Sequence, residues 1–495
     1  MEKPLKMRLH VISPLHIGCD EVYEPTGFKV DEAKKKIIVF DPMDLIKSLS
    51  PEDRDKYSSI CAEGTLDSII NIFKYLSGQE VKGREIEVSG AFIEHFGRVK
   101  NKPIDNKKEI KKEINQFTIN RTAYNPYNHL PYIPGSSLKG GLRTAYLTHL
   151  AQEGNVKDYW NKLLRDNELE KDSDKDLFIR KENIAKQLEK NLLQGNFDKD
   201  PFRMVKVSDL VPVNDVETEI VYAVNKKKKI SKFGAKGPYQ MLEIIKEGSA
   251  FDGIINIQEP QQGTGIKRSI KTKVFMESIQ SFFTSNSNNE NEVIKKINVE
   301  SSVIENINEK LKEKLEKSAF LIRIGRHSGA EAMTIGGNRY IKVTQGKKPP
   351  KFLDHATTIW LASDTSKPQI NNNLAPFGWA ILEFGEMGAK FVEPVASKKR
   401  KTADTTKYID LFDKPFASAL KKQGAGAKSE KKIKVGNKVQ GECFEEKGQL
   451  KLKLTGNKGE IVTPSGSYLP WSPGQKVKVK IEKISSDGMI LKIRP

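Results

Sequence analysis

The most constraining feature of the sequence is the run Leu130-Pro-Tyr-Ile-Pro-Gly-Ser-Ser-Leu-Lys-Gly-Gly-Leu-Arg-Thr-Ala-Tyr146. Its first part is extended and ends at a Pro-Gly turn, whereas its second part repeats apolar residues at helical spacing. Ser136 and Ser137 are good N-cap residues, so we expect a helix to begin there with Gly140 and Gly141 in its first turn. Each glycine costs a helix about 1 kcal/mol relative to alanine, so another gain must offset them.

A phosphate group is the ligand that this strand-to-helix junction suits best. Amides in the first turn of a helix are unpaired, and the helix dipole favours an anion there. Lys139 and Arg143, four residues apart, flank the same point. A P-loop is disfavoured, because Gly140 is followed by Gly-Leu instead of Lys and Ser or Thr. The alternative is a tight turn that binds no ligand.

The charge of the chain agrees with an anionic partner. The 495 residues include 84 Lys and Arg against 64 Asp and Glu, a net charge of +20, which favours nucleic acid. The excess is concentrated in residues 396–495, which hold 23 basic and 10 acidic side chains. No apolar run is long enough to span a membrane. We therefore expect a soluble, cytoplasmic protein without a membrane partner.

Patterning along the chain predicts an α+β fold. The polar run 151–200 is interpreted as a helical insertion, and the polar stretch 261–317 as a loop-and-helix insertion that is not a core element. The tail reads as a basic linker, 396–436, and a small all-β, OB-like module, 437–495. Alternating segments predict strands at Leu5–Ile12, Gly27–Val30, Lys36–Phe40, Met204–Val213, Glu219–Val224, Leu242–Ile245, Ala250–Ile257, Ala319–Ile324 and Gly378–Phe384.

Several short motifs occur in one order along the chain. They are Ser13-Pro-Leu-His-Ile-Gly18, Ile133-Pro-Gly-Ser-Ser-Leu-Lys-Gly-Gly-Leu-Arg143, Ile324-Gly-Arg-His-Ser-Gly329 and Pro376-Phe-Gly-Trp379. Together they resemble the RAMP superfamily of CRISPR proteins, and among these the type III-A (Csm) subunit that closes the complex near the 3′ end of the guide RNA. The resemblance covers about residues 5–384, so the role of the tail cannot be inherited from it.

The resemblance implies a fold and a function. The fold is two ferredoxin-like (RRM-like) RAMP domains with helical insertions, over residues 1–247 and 248–395. The function is that of a non-catalytic structural subunit that caps the complex, binds the 3′ part of the CRISPR RNA and supports its 3′-end maturation. The implied partners are CRISPR RNA, a neighbouring RAMP backbone subunit, the small subunit, target RNA indirectly, and host nucleases.

Candidate RNA contacts come from the resemblance and from loop chemistry. A basic or ring side chain in a loop can meet a phosphate or stack on a base. The alternative is a tight turn without a ligand for residues 136–143, a turn histidine bonded to backbone for His16, and a solvated or merely exposed residue for the others. The candidates are His16, Ser136, Ser137, Lys139, Gly140, Gly141, Arg143, Lys226, Lys227, Phe233, Arg326, His327 and Arg339.

The sequence predicts no catalytic group, metal or cofactor. Cys19, Cys61 and Cys443 are far apart, and none of the seven histidines lies in a metal-binding or acid–base motif. Some RAMP relatives cleave RNA with a loop aspartate or a histidine, so an endoribonuclease that processes precursor RNA remains one alternative. In such an enzyme Asp20, Asp209 and Asp364 are the weak candidates. A general single-stranded RNA-binding protein is the other alternative.

Overall fold

The chain divides into two compact units, residues 1–403 and 404–495. The computed structural model describes residues 3–101, 111, 114–115, 117–154, 156–168, 184–213, 215–229, 238–299, 307, 309–315, 317–345, 348–368, 373–394, 438–446, 449–454, 461–462, 476–484 and 490–494.

Strands make up most of the framework of both units. In the first unit they are β1 (Leu5–Val11), β2 (Gly18–Val22), β3 (Phe28–Asp31), β4 (Lys36–Val39), β5 (Arg84–Val88), β6 (Ile119–Thr122), β7 (Val205–Val207), β8 (Val211–Pro212), β9 (Thr218–Lys227), β10 (Gln240–Ile245), β11 (Ala250–Ile257), β12 (Ala319–Arg323), β13 (Ile341–Gln345), β14 (Lys348–Leu353), β15 (Thr358–Ser363), β16 (Ala375–Pro376) and β17 (Trp379–Glu386).

Helices cover the sheets of the first unit. They are α1 (Pro42–Ser48), α2 (Pro51–Ala62), α3 (Leu66–Ser77), α4 (Gly90–Lys100), α5 (Gly135–Glu153), α6 (Lys157–Glu168), α7 (Thr272–Lys296) and α8 (Glu309–Lys314). Residues 184–192 are also helical. The predicted helix after Asp41-Pro42 is confirmed, because the Asp41 carboxylate accepts a hydrogen bond from the Met43 amide at 2.8 Å.

The first sheet has the strand order β12-β17-β1-β11-β7, with β8 paired to β11. Strand β1 lies at its centre and runs antiparallel to both β11 and β17, with Leu9 opposite Phe251 and Leu382. Alternate residues of β1 therefore face the helices, and Met7, Leu9 and Val11 are buried there. The predicted strand at the start of the chain is confirmed.

The second sheet has the order β2-β6-β10-β9-β5-β4-β3, and β15 joins it along the outer half of β9. Pairing is mixed, since β9 runs antiparallel to β10 but parallel to β5. A separate hairpin is formed by β13 and β14. The mixture of helices and curled sheets confirms the α+β class.

The predicted boundary near residue 247 is not where the two sheets divide. Strand β1 precedes it and pairs with β11 and β17, which follow it, whereas β15 follows it and pairs with β9. Partners in a sheet are fixed by hydrogen-bond register and burial, not by nearness along the chain. The ranges 1–247 and 248–395 are therefore not two self-contained halves.

The expectation that residues 261–317 lie outside the core is wrong. Helix α7, 25 residues long, packs on α5 and β12 and buries Phe275, Ile279 and Phe283 in the largest apolar cluster. These residues recur every four positions, which is the period of a core-facing helix. Residues 151–200 also contribute to this cluster, through Trp160 and Leu188.

The second unit contains one five-stranded antiparallel sheet. Its strands are β18 (Lys438–Glu446), β19 (Gln449–Leu454), β20 (Ile461–Val462), β21 (Lys476–Ile484) and β22 (Ile490–Arg494), in the order β20-β19-β18-β21-β22. All residues that the structure describes in this unit lie in strands, and the all-β module over 437–495 stays a prediction. The predicted linker, 396–436, lies outside the described residues.

Candidate nucleic-acid interface

The entry to helix α5 is closed by protein groups. The helix begins at Gly135, its N-cap is Pro134, and no serine side chain caps it. The Gly135 amide donates to Asp209 Oδ1 at 2.8 Å, so a carboxylate already occupies the favourable end of the helix dipole. A Cβ on Gly135 would lie 2.5 Å from the Val207 carbonyl oxygen. The prediction that Ser136 or Ser137 caps the helix is therefore wrong.

Gly140 and Gly141 lie one turn further into α5 than predicted. Because the helix begins at Gly135, they belong to its second turn, where backbone amides pair within the helix. A Cβ on Gly140 would meet nothing within 4 Å, and one on Gly141 would make only ordinary contacts, the nearest at 3.5 Å to the Arg323 carbonyl oxygen. Close approach of their amides to a phosphate is not available in this arrangement.

The two basic residues of the same helix differ in their surroundings. Arg143 donates from its terminal nitrogens to Glu189 at 3.1 Å and to Asp200 at 2.9 Å. Lys139 has no hydrogen-bond or ion-pair partner within the described part of the chain. Its partial burial, together with Lys206, lowers the pKa of its ammonium group. Arg143 is thus held by two carboxylates, whereas Lys139 makes no direct ion pair among the described residues and interacts with Asp200 only at a distance.

His16 is not placed to contact RNA directly. Its side chain is 0% exposed, and its Nδ1 donates to the Glu243 carbonyl oxygen at 2.7 Å. Burial lowers the pKa of the imidazole, so the ring is neutral at pH 7. The alternative reading, a turn histidine bonded to backbone, matches the structure.

The glycine loop, residues 325–339, follows strand β12 and packs against the His16 turn. The Arg326 amide donates to the His16 carbonyl oxygen at 2.8 Å, while the Arg326 side chain is exposed. Gly325 has a φ of +84°, and a Cβ there would lie 2.5 Å from the same carbonyl oxygen. The loop therefore needs glycine at this point and presents Arg326 to solvent.

His327 fixes the next part of the glycine loop. Its ring stacks on Trp360 with centroids 4.5 Å apart, and its Nε2 lies 3.1 Å from Gln240 Oε1. Burial, with Arg326 and His16 as smaller causes, lowers the pKa of this imidazole to about 3. The ring is thus a neutral packing element, half-buried between strands β10 and β15.

A cleft of about 740 Å³ collects basic residues from distant parts of the sequence. We call it the basic cleft. It is lined by Lys227, Lys228, Lys229, Asn286, Asn289, Glu290, Val293, Lys296, Arg323, Glu331, Ala332, Arg339, Thr344, His355, Ala356, Thr357, Thr358 and Ile359. It therefore joins two predicted RNA-contact segments, the lysine run at the end of β9 and the end of the glycine loop.

The two carboxylates of the basic cleft are both engaged. Glu290 pairs with Arg323 and accepts from Trp379 Nε1 at 2.7 Å. Glu331 pairs with Lys228 and accepts from the Ala356 amide at 2.8 Å. The remaining basic side chains give the cleft an excess of positive charge.

The other predicted contacts are divided between the cleft and its surroundings. Lys226 is half-buried beside the cleft, and burial lowers the pKa of its ammonium group. Phe233 lies outside the described residues.

Lys296 and Arg323 line the cleft but were not among the candidates. Lys296 is the last residue of α7. The four-residue apolar spacing of that helix is the sequence signal that could have indicated Lys296.

The described residues hold no group of three or more His, Cys, Asp or Glu side chains that could bind a metal ion. Of the candidate aspartates, Asp209 serves as the acceptor at the start of α5. No helix within the described ranges is both long and apolar enough to cross a membrane.

The two larger sheets of the first unit, the helices and the glycine loop define an α+β protein. The family model described as "RAMPs: RAMP superfamily" matches residues 8–330. The chain therefore belongs to the RAMP superfamily, which confirms the resemblance seen in the ordered motifs.

One curated relative is described as "CRISPR system Cms protein Csm5" of Methanocaldococcus jannaschii. It is 29% identical over 208 residues, 41% of this chain, and the match spans 42% of the relative's length. Two solved structures are similar at 18% identity, each over 77% of this chain and all of the other chain. They are a chain of a Csm-crRNA-target RNA ternary complex (TM-score 0.47) and T. onnurineus Csm5 (TM-score 0.40).

Proposed function

We propose that this chain is a non-catalytic, RNA-binding structural subunit of a type III-A CRISPR (Csm) complex in the cytoplasm. It caps the complex, holds the 3′ part of the CRISPR RNA and supports maturation of that end. Its neighbours are a RAMP backbone subunit and the small subunit, and target RNA is contacted indirectly through the guide. Host nucleases are the proposed partners for end trimming.

The observation that carries the proposal is the match to the M. jannaschii protein, within a chain that belongs to the RAMP superfamily. The basic cleft supports the RNA-binding part, because exposed Lys227 and Lys229 and half-buried Arg339 converge there. Contact with the RNA backbone needs no base reading, since base pairing of the guide supplies sequence specificity in such complexes.

We infer that the first sheet is a ferredoxin-like unit. Its four strands follow one another along the chain as β1, β7, β11 and β17, with α5 between the first two and α7 between the last two. In the sheet they lie in the order β17-β1-β11-β7, that is fourth, first, third, second. Strand β12 extends the sheet beside β17. The second sheet belongs in this interpretation to the second RAMP domain.

We also infer that the tail module is OB-like. In the OB-fold barrel, the third and fifth strands are neighbours. Opening that barrel between these two strands gives the order third, second, first, fourth, fifth, which is the observed order β20-β19-β18-β21-β22. A module of this type binds oligonucleotides on one face, which agrees with the basic composition of residues 396–495.

The non-catalytic part of the proposal is supported by the two candidate histidines. His16 is buried and His327 is stacked on Trp360, so neither side chain is placed to exchange protons with an RNA substrate. Incubation of the chain with precursor CRISPR RNA, with and without Mg²⁺, is expected to give no cleavage. Specific cleavage that is lost in His327→Asn would favour the endoribonuclease alternative.

The subunit assignment is tested by co-expression with the other type III-A subunits and a CRISPR locus. We expect the chain to co-purify with these subunits and with short guide RNAs. We also expect that omitting it leaves guide RNAs with longer, uneven 3′ ends. A chain that co-purifies with neither subunits nor guide RNA would contradict the assignment and favour a general RNA-binding protein.

A further inference from the structure

Two arginines line the basic cleft, and they differ in whether a carboxylate pairs with their positive charge. Arg323 is buried, pairs with Glu290, donates to the Phe377 carbonyl oxygen at 2.9 Å and lies over the Trp379 ring. Its positive charge is therefore compensated within the protein. Arg339 lies in the same cleft but has no such carboxylate partner.

Arg339 contacts only neutral acceptors among the described residues. Its Nη2 donates to the Glu331 carbonyl oxygen at 3.2 Å and to Asn286 Oδ1 at 3.4 Å. Its Nε is buried without a hydrogen-bond partner, and burial lowers the pKa of the guanidinium. Glu331 and Asp354 act on the guanidinium only at a distance. A half-buried cation with no carboxylate in direct contact costs free energy that a bound anion would offset.

The walls of the cleft add further uncompensated charge. Lys227, Lys229 and Lys296 line it and have no carboxylate partner in the part of the chain that the structure describes. Glu290 and Glu331 are already engaged by Arg323 and Lys228. Four cations therefore surround one small volume with no free carboxylate to balance them.

The remaining lining suits the neutral parts of a nucleotide. Asn289 and Thr357 offer hydrogen-bonding groups, whereas Val293 and Ile359 offer apolar surface for a base or ribose. A volume of about 740 Å³ lies within the range of small-ligand sites. The cleft is thus large enough for one nucleotide but not for a long stretch of RNA.

We propose that the basic cleft binds a phosphomonoester of a single nucleotide, either the phosphorylated end of an RNA strand or a free nucleoside monophosphate. A phosphomonoester carries up to two negative charges and three acceptor oxygens, so it matches four cations better than one internal phosphodiester. The inference rests on the proposed RNA-binding function for the RNA source, but not for the free nucleotide.

The test uses the full chain and short oligoribonucleotides of one sequence with a 3′-phosphate, a 5′-phosphate or hydroxyl ends. We expect one phosphorylated form to bind about tenfold more tightly than the hydroxyl form, which corresponds to about 1.4 kcal/mol. Arg339→Gln should abolish this preference, Arg339→Lys should restore part of it, and exposed Arg165→Gln on α6 should leave it unchanged. Thermal unfolding of each variant checks that the cleft is folded.

Calorimetry with AMP alone separates the two sources of phosphate. AMP binding that Arg339→Gln removes indicates that a free nucleotide suffices, whereas an end preference without AMP binding indicates an RNA end. Normal RNA binding with no end preference and no AMP binding would overturn the inference and leave the proposed function intact. Absence of RNA binding with retained AMP binding would contradict only the proposed function. Preferential binding of an acidic peptide would also overturn the inference.

Discussion

Two regions of this protein have the composition of a phosphate site, but only the basic cleft gathers several basic side chains that have no carboxylate partner among the described residues. At the entry to α5, Asp209 accepts from the first amide and Arg143 is held by Glu189 and Asp200. In the basic cleft, Arg339 and Lys227 have no carboxylate partner among the described residues. The comparison shows that a glycine-rich, basic motif can serve packing while a scattered set of residues forms the candidate site.

The largest expected effect concerns Gly135 at the entry to α5. Gly135→Ala places a Cβ 2.5 Å from the Val207 carbonyl oxygen and 2.6 Å from that of Ser208. Since these are backbone atoms that cannot move aside, we expect a loss of about 3 kcal/mol in the free energy of unfolding. Urea denaturation measures it, and a near-neutral result would show that this entry is not closely packed.

The next effect concerns His327, which fixes the glycine loop beside the cleft. Its pKa is about 3 in the folded protein and about 6.5 when unfolded. Between these values the unfolded chain binds more protons, so stability is lost as the pH falls from 6.5 towards 3. At pH 4.5, two units below the unfolded pKa, the loss from this residue is about 3 kcal/mol.

His327→Asn removes this titration and tolerates the positive φ of 64° at that position. We expect the variant to be less stable at pH 7, because the stack on Trp360 is lost, but less sensitive to acid than the wild type. Exposed His355→Asn is the control. Equal acid sensitivity of His327→Asn and wild type, in urea titrations at pH 7 and 4.5, would contradict the burial of this ring.

A smaller effect is expected for Arg143, whose ion pairs are partly exposed. Arg143→Gln should lower the free energy of unfolding by about 1 kcal/mol and leave the affinity for RNA unchanged. Both are measured on the same preparation, by denaturation and by fluorescence anisotropy. A loss of RNA affinity with unchanged stability would make the α5 entry a ligand site after all.

The smallest effect concerns Gly140, which sharpens the contrast with Gly135. A Cβ at Gly140 meets nothing within 4 Å, so Gly140→Ala should stabilise α5 by about 0.5–1 kcal/mol. Denaturation shows the sign directly. Destabilisation, or weaker RNA binding, would mean that the bare backbone at this position is needed.

The sequence predicts those features that depend on local pattern. Alternation in residues 5–11 identified the central strand of the first sheet, and the ordered motifs identified the family. The start of α5 was misplaced because Asp209, whose carboxylate accepts from the Gly135 amide, lies more than 70 residues away in the sequence. Helix was expected within residues 261–317, but the core position of α7 was missed because Ser and Asn residues in its second half obscure the spacing of Phe275, Ile279 and Phe283.

The basic cleft could not be predicted for a different reason. Its residues come from β9, α7, the glycine loop and the segment before β15, which tertiary packing alone brings together. Lys227 and Arg339 were predicted as separate RNA contacts, but lysine runs are common on solvated surfaces, and nothing in the sequence indicates that the two residues line one cleft. A basic side chain can bind an anionic ligand only where no carboxylate already pairs with it, and the sequence does not show which side chains are paired.

The most direct test is the salt dependence of binding to a single-stranded RNA of fixed length. Each lost phosphate contact should reduce the slope of log K against log salt by about 0.7. We predict a reduction of about 1.4 for Lys227→Gln/Lys229→Gln and no change for Lys139→Gln/Arg143→Gln. The reverse result, a reduced slope only for the α5 pair, would contradict the assignment of RNA binding to the basic cleft.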